Sequence, residues 1–228
     1  MTTPPTRPPT TRVRRTASLS REQIVDAAIH LLDRGGEAGL TFRTLSEQLA
    51  TGPGALYGHI ANKHDLVAAA CEAVIARTVN VQASDASPQD TVRAVALAMF
   101  DALDAHPWVG PALTWSAGQL TMVRIIEQIG QQVVALGVPA AARWATVTAL
   151  LNYILGVGGQ NAGNSKTAQK LGANREDLLA SLATAWSALD AHAYPFVRSV
   201  VTQMRVHDDR ADFLFGINLI LAGIKSQH

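Results

Sequence analysis

The 228 residues hold 19 Lys and Arg against 18 Asp and Glu, a net charge of +1, and are 48% hydrophobic and 16% charged. This excludes a chain too polar to bury a core, while the near-balance of charge points to no partner by itself. A single cysteine, Cys71, excludes an internal disulfide and suits a reducing, cytoplasmic setting; with no motif around it, it reads as a small buried hydrophobe.

Residues 1–18 form a Pro/Thr/Arg-rich tail with Arg7, Arg12, Arg14 and Arg15 and no acid. It lacks the apolar segment of a signal peptide and is expected to be disordered alone. It is either an inert tail or a basic arm that follows a DNA groove. Order begins at Ser20, where "SREQ" is a capping box for a first helix with Ile24, Ala27, Ala28, Leu31 and Leu32 on one face. Gly35 and Gly36 are expected to stop it. Thr41 caps a second helix, with Phe42, Leu45 and Leu49 inward. The Gly-rich stretch "TGPGALYGHIANKHD" follows at 51–65, and Asn62 caps a fourth helix with Leu66, Val67, Ala70, Val74 and Ile75 inward.

The polar segment 81–90 reads as a linker that ends with Ser87 and Pro88 at the start of a new helix. Its apolar face is Val92, Val95, Ala96, Met99, Phe100 and Leu103, and Pro107 breaks it. A helix is expected from about Ser116 to Leu136, stopped by Gly137. Pro139 opens the next, which includes the charge-free run Trp144–Ser165. That run contains Thr146, Thr148, Asn152, Gln160 and Asn161. Its strongly apolar part is shorter than the roughly 20 residues a membrane span needs, so it reads as a helix buried in a soluble protein. "GNSKTAQKLGAN" reads as a loop, Asn174 with Asp177 caps a helix to about His192, and "YPF" interrupts before a short helix. Asp208 or Asp209 starts the last helix, apolar nearly all round. The pattern is all-α, without strands or repeats.

The second helix, the turn "TGP" and a short third helix make a helix-turn-helix. The second helix of such a unit lies in the major groove of DNA, its N-terminal residues toward the base edges. That use explains a weak helix former between two strong ones. A helix pressed on a duplex needs a slim surface, which Gly54 and Gly58 supply, and free backbone N–H groups at its start can face phosphates.

"LTFRTLSEQLATGPGALYGHIANKHDL", within the region 20–77, resembles the TetR family of transcriptional regulators, and "ALYGHIANK" is similar to that family's "LYxHxxxK" signature. The resemblance implies a three-helix head joined to a C-terminal helical bundle. It divides the chain into the arm (1–18), a DNA-binding domain with linking helix four (19–80), and a ligand-binding and dimerisation domain (81–228). By the same resemblance Thr41 and Lys63 contact phosphate, and Arg43, Tyr57 and His59 contact base edges or backbone. Pro53, Gly54 and Ala55 fall where recognition residues meet bases. The alternatives, residue by residue, are a core aromatic for Tyr57, a solvated helix charge for Arg43 and ordinary surface histidines for His59 and His64. The constellation carries the reading.

Family members often place longer polar residues where this chain has Pro53, Gly54 and Gly58, so Arg43, Tyr57, His59 or DNA shape must supply more of the readout. Residues 20–80 hold five basic and seven acidic side chains, a deficit of two that the arm's four arginines would turn into a surplus of two. The resemblance also implies a homodimer on a pseudo-palindromic operator, because one short helix reads too few base pairs. Trp144, Leu151, Leu155, Phe213, Ile217, Ile220 and Ile224 are the interface candidates, against the alternative of a monomer core. A small-molecule effector is implied in the C-terminal bundle, with Phe100, His106, Trp108, Trp115, Met122 and Asn152 as pocket candidates. No cofactor, metal or membrane partner is expected. No catalytic constellation is evident, and "HDD" at 207–209 reads as a helix cap. The expected function is ligand-responsive repression. The alternatives are an activator with the same head and an all-α enzyme or carrier using the C-terminal cavity.

Overall fold

The computed structural model describes residues 19–79, 86–115, 120–170, 172 and 174–226, and all secondary structure among them is helical. The arm at 1–18 and residues 81–85 of the linker lie outside the described residues.

The head is built from α1 (Arg21–Gly39), α2 (Phe42–Gln48) and α3 (Pro53–Tyr57), followed by α4 (Lys63–Val79). Ser20 Oγ accepts from the Gln23 amide at 3.2 Å, and Gln23 Oε1 accepts from the Ser20 amide at 3.0 Å, the reciprocal bonds of a capping box. Thr41 caps α2 by accepting from the Thr44 amide at 3.0 Å, and Asn62 caps α4 by accepting from the Asp65 amide at 2.9 Å. The expected stop at Gly35–Gly36 is a break instead of an end. Gly36 takes φ 59°, ψ −162°, a conformation for glycine, and the helix resumes to Gly39. The turn between α2 and α3 contains Ala50 at φ 48°, the left-handed region that a Cβ disfavours.

The body is α5 (Pro88–Ala105), α6 (Val109–Trp115), α7 (Leu120–Ala135), α8 (Ala140–Lys170), α9 (Arg175–Ser187), α10 (Pro195–Ser199), α11 (Val201–Val206) and α12 (Asp209–Ser226). Ser87 caps α5 through the Asp90 amide, and Val92, Val95, Ala96, Met99, Phe100 and Leu103 all point into the core. α5 is the central helix, packed on α4, α7, α8 and α12. Phe100 stacks on Phe213 of α12 at 4.7 Å, and Tyr153 of α8 stacks on the same ring at 5.5 Å. α4 joins the two parts: Arg77 pairs with Asp26 of α1 at 2.6 Å, and Glu72 pairs with Arg124 of α7 at 2.9 Å. Cys71 is buried on α4, where burial, helped by the Glu72 charge, pushes its thiol pKa up to about 12. It remains a neutral thiol.

Two boundaries in the C-terminal half differ from expectation. The loop expected at 163–174 is mostly helix, because α8 runs 31 residues to Lys170. Asn161 Nδ2 and Ser165 Oγ donate to Asp104 Oδ1 of α5 at 2.9 and 3.5 Å, and such tertiary bonds outweigh the poor propensity of the glycines. α9 ends at Ser187, short of His192; Asp190 Oδ1 then accepts from the His192 and Ala193 amides in a local turn. Pro195 opens α10 at its first turn, where a missing N–H costs nothing. Among the described residues no helix is long and apolar enough to cross a membrane.

Candidate nucleic-acid interface and ligand groove

On α3 the inward anchor is Leu56, fully buried, with Ile60 beneath the turn that follows. Pro53, Gly54, Ala55, Tyr57, Gly58 and His59 are all exposed. A Cβ added at Gly54 would meet nothing within 4 Å, and one at Gly58 would approach only the Ala55 carbonyl, at 4.0 Å. The fold itself therefore asks for glycine at neither position. Tyr57 lies flat on Phe42 of α2, with ring centroids 4.9 Å apart and planes 14° apart, yet stays 61% exposed. It is braced on one face and open on the other.

Arg43 is exposed on α2, its Nε donating to Glu47 Oε1 at 3.0 Å. Such an i,i+4 surface pair is worth only about 0.3–0.5 kcal/mol and is readily exchanged. Thr41 is exposed, and its Oγ1 accepts from the Thr44 amide in the α2 cap. Lys63 is half-buried, and its ammonium donates to the Glu37 carbonyl beyond the Gly36 break. Thr44 had no place in the sequence reading; its hydroxyl donates to the Gly39 carbonyl at 2.9 Å and fixes the α1–α2 corner. No local pattern marks that bond.

In the body, α6, α7 and α8 enclose an open groove of about 920 Å³. Met122 and Asn152 line it as expected pocket residues. Trp144, Leu151 and Leu155, placed by the sequence reading at a subunit interface, line it too. The other pocket candidates lie elsewhere. Phe100 is buried against Phe213 and borders a separate polar cavity of about 510 Å³ with Asp101, Asp104, Arg175 and Arg210. His106 and Trp108 sit at the α5–α6 corner, bonded to Asp33 of α1. The side chain of Trp115 lies outside the described residues.

α12 presents a different face outward from the one anticipated. Phe213, Ile217 and Ile224 are buried in the chain's own core and Ile220 is half-buried, whereas Phe215 and Leu219 are 64% and 59% exposed. A helix apolar all round carries no periodic cue to its inner stripe. Beside it, α8 exposes Trp144, Ala145, Ala149, Asn152 and Gly156. At 207–209 the Asp208 carboxylate accepts from the Arg210 and Ala211 amides, and Asp209 pairs with Arg175 and His207. Among the described residues no group of three or more His, Cys, Asp or Glu side chains could hold a metal.

A short exposed helix held across another by a tight turn, on top of a helical body, defines a helix-turn-helix transcriptional regulator that binds DNA. Residues 24–70 match the bacterial regulatory proteins of the tetR family, and residues 83–228 match the tetracyclin repressor-like C-terminal domain. The chain belongs to the TetR family. It is similar to the transcriptional regulator SCO7222 of Streptomyces coelicolor, with 50% identity and a TM-score of 0.83 over 92% of this chain and 99% of that one. It is also similar to Mycobacterium smegmatis BioQ, with 25% identity and a TM-score of 0.67 over 92% and 99% of the two chains. A curated relative, an HTH-type transcriptional regulator of Saccharopolyspora erythraea, is 30% identical over 60% of this chain. The match spans 59% of that relative's length.

Proposed function

We propose that this regulator is a repressor that holds a pseudo-palindromic operator as a homodimer and releases it when a small molecule fills the α6–α8 groove. Residues 19–80 act as the DNA-binding unit and 81–228 as the ligand-binding and dimerisation unit. Gly54 and Gly58 let α3 press close to the duplex, Pro53 and Ala55 meet base edges, and Arg43, Tyr57 and His59 supply readout. Thr41 and Lys63 serve the phosphate backbone. The outward faces of α8 and α12 carry the dimer. The arm at 1–18 adds positive charge that the head lacks. Deleting residues 1–18 is expected to weaken binding and flatten its salt dependence; an unchanged salt slope would remove the arm from this account.

The ligand half rests on the groove. Its walls are mainly apolar, with Thr114, Thr148 and Asn152 as isolated polar side chains, and its size falls in the range of about 300–1,000 Å³ typical of small-molecule sites. The scarcity of charge suits an apolar or weakly polar ligand. A mobility-shift assay on duplexes from the DNA flanking its own gene, repeated with fractionated apolar metabolites, tests the reading. One fraction is expected to release the retarded duplex. A compound that stabilises the protein against heat yet leaves retardation unchanged would sink the coupling.

A further inference from the structure

We propose that Asp33 is the positioning residue that ties the groove to the DNA-binding head, through a clasp with His106 and Trp108. A single carboxylate oxygen, Asp33 Oδ1, accepts from Trp108 Nε1 at 2.7 Å and meets His106 Nδ1 at 2.7 Å. A carboxylate can only accept, so Nδ1 carries the proton. Trp108 is buried, while the Asp33 and His106 side chains keep about a quarter of their surface open, so the Trp108 bond is partly shielded from water and the His106 bond lies at the surface.

The clasp joins two moving parts. On the body side, Gly110 and Pro111 follow Trp108 at the start of α6 and line the groove, so a ligand that shifts α6 also shifts the clasp donor. On the head side, Asp33 stands three residues before the Gly36 break. The Glu37 carbonyl, just past the break, holds the Lys63 ammonium at the start of α4, next to the recognition helix. Beside the clasp, a cavity of about 340 Å³ opens between α1, α4 and α5, floored by Ile29, Val74, Ala98 and Ala102, with His106 at its edge. A joint bonded on one flank and bordered by an open surface cleft on the other has room for a small shift of α1 against α5.

This inference rests on the reading that groove occupancy weakens operator binding, and its test separates the two. Gly159→Phe and Thr148→Phe place a ring in the groove as a built-in occupant; a Cβ at Gly159 meets nothing within 4 Å. Operator binding by each filler is measured with the clasp intact, with Trp108→Phe and with His106→Ala, on a duplex recovered by footprinting. Thermal melts confirm that each variant is folded. With the clasp intact a filler is expected to weaken binding about tenfold, a typical allosteric coupling. With Trp108→Phe or His106→Ala the loss shrinks to about twofold or less, and His106→Asn, which returns an N–H donor, restores it. A filler effect equal in all backgrounds overturns the clasp and leaves ligand response standing. No effect of either filler in the native background overturns both.

Discussion

Gly54 and Gly58 leave bare backbone on a surface where the fold itself has room for a side chain. In the proposed complex, base readout therefore falls to Arg43, Tyr57 and His59. Arg43→Ala is expected to relax discrimination among operator variants by about 1–3 kcal/mol at the positions it reads. Lys63→Gln is expected to weaken binding to all duplexes alike and lower the salt slope by about one. Binding to systematically varied duplexes over a salt series checks both, and the reverse pattern would exchange the two roles. Ala50 makes a separate prediction. Its left-handed backbone costs about 1–2 kcal/mol relative to glycine, partly offset by the added freedom of glycine in the unfolded chain. Ala50→Gly should therefore raise unfolding stability by about 0.5–1 kcal/mol in a urea titration. A loss of stability would show that the turn is not strained. Residue chemistry within a few positions was readable in the sequence: the caps at Ser20, Thr41, Asn62, Ser87 and Asn174 are local bonds, and each forms. The Asp33 clasp was not, because its donors lie 73 and 75 positions away.

At the scale of elements, α8 and α12 meet with little clearance. Tyr153 of α8 lies across Gly216 of α12, and its hydroxyl donates to the Phe213 carbonyl at 3.2 Å. A Cβ at Gly216 would collide with the Tyr153 ring. Gly216→Ala is expected to cost about 1–3 kcal/mol through overpacking, measured by denaturant unfolding. Tyr153→Ala in the same chain should recover part of that loss, and a neutral Gly216→Ala would mean that the helices separate freely. Gly158 plays the matching part toward α5, where a Cβ would stand 2.6 Å from Leu103 Cδ1. The sequence showed a charge-free helix here, and Gly158 lets that helix approach α5 closely. It did not reveal how far α8 extends, since propensity alone favours a loop after Gly163, whereas the bonds to Asp104 on α5 and the burial of Ala162 and Ala168 hold the helix. Nor could it choose the inner stripe of α12, because apolar residues surround that helix.

For the whole molecule, α12 turns Phe215 and Leu219 outward and α8 turns Trp144 outward, and the proposed dimer forms on these faces. Leu219→Asp combined with Phe215→Asp is expected to convert a dimer into a monomer in sedimentation equilibrium, and to reduce operator affinity with it. These positions are exposed, so the fold should survive. A double variant that stays dimeric would move the interface elsewhere. Trp144, Leu151 and Leu155, expected at a subunit interface, line the groove on α8, and Leu151 is buried there; in the proposed dimer, interface and ligand site share that helix. The proposed division into a DNA-reading head and a ligand-sensing, dimerising body makes one spatial demand above the others. Two heads must meet one duplex in register. A genome-wide footprint of the full chain tests it most directly. The account predicts protected sites with two inverted half-sites, their centres about 34–36 Å apart along the helix. Protection confined to a single half-site, or spread without sequence preference, would contradict it.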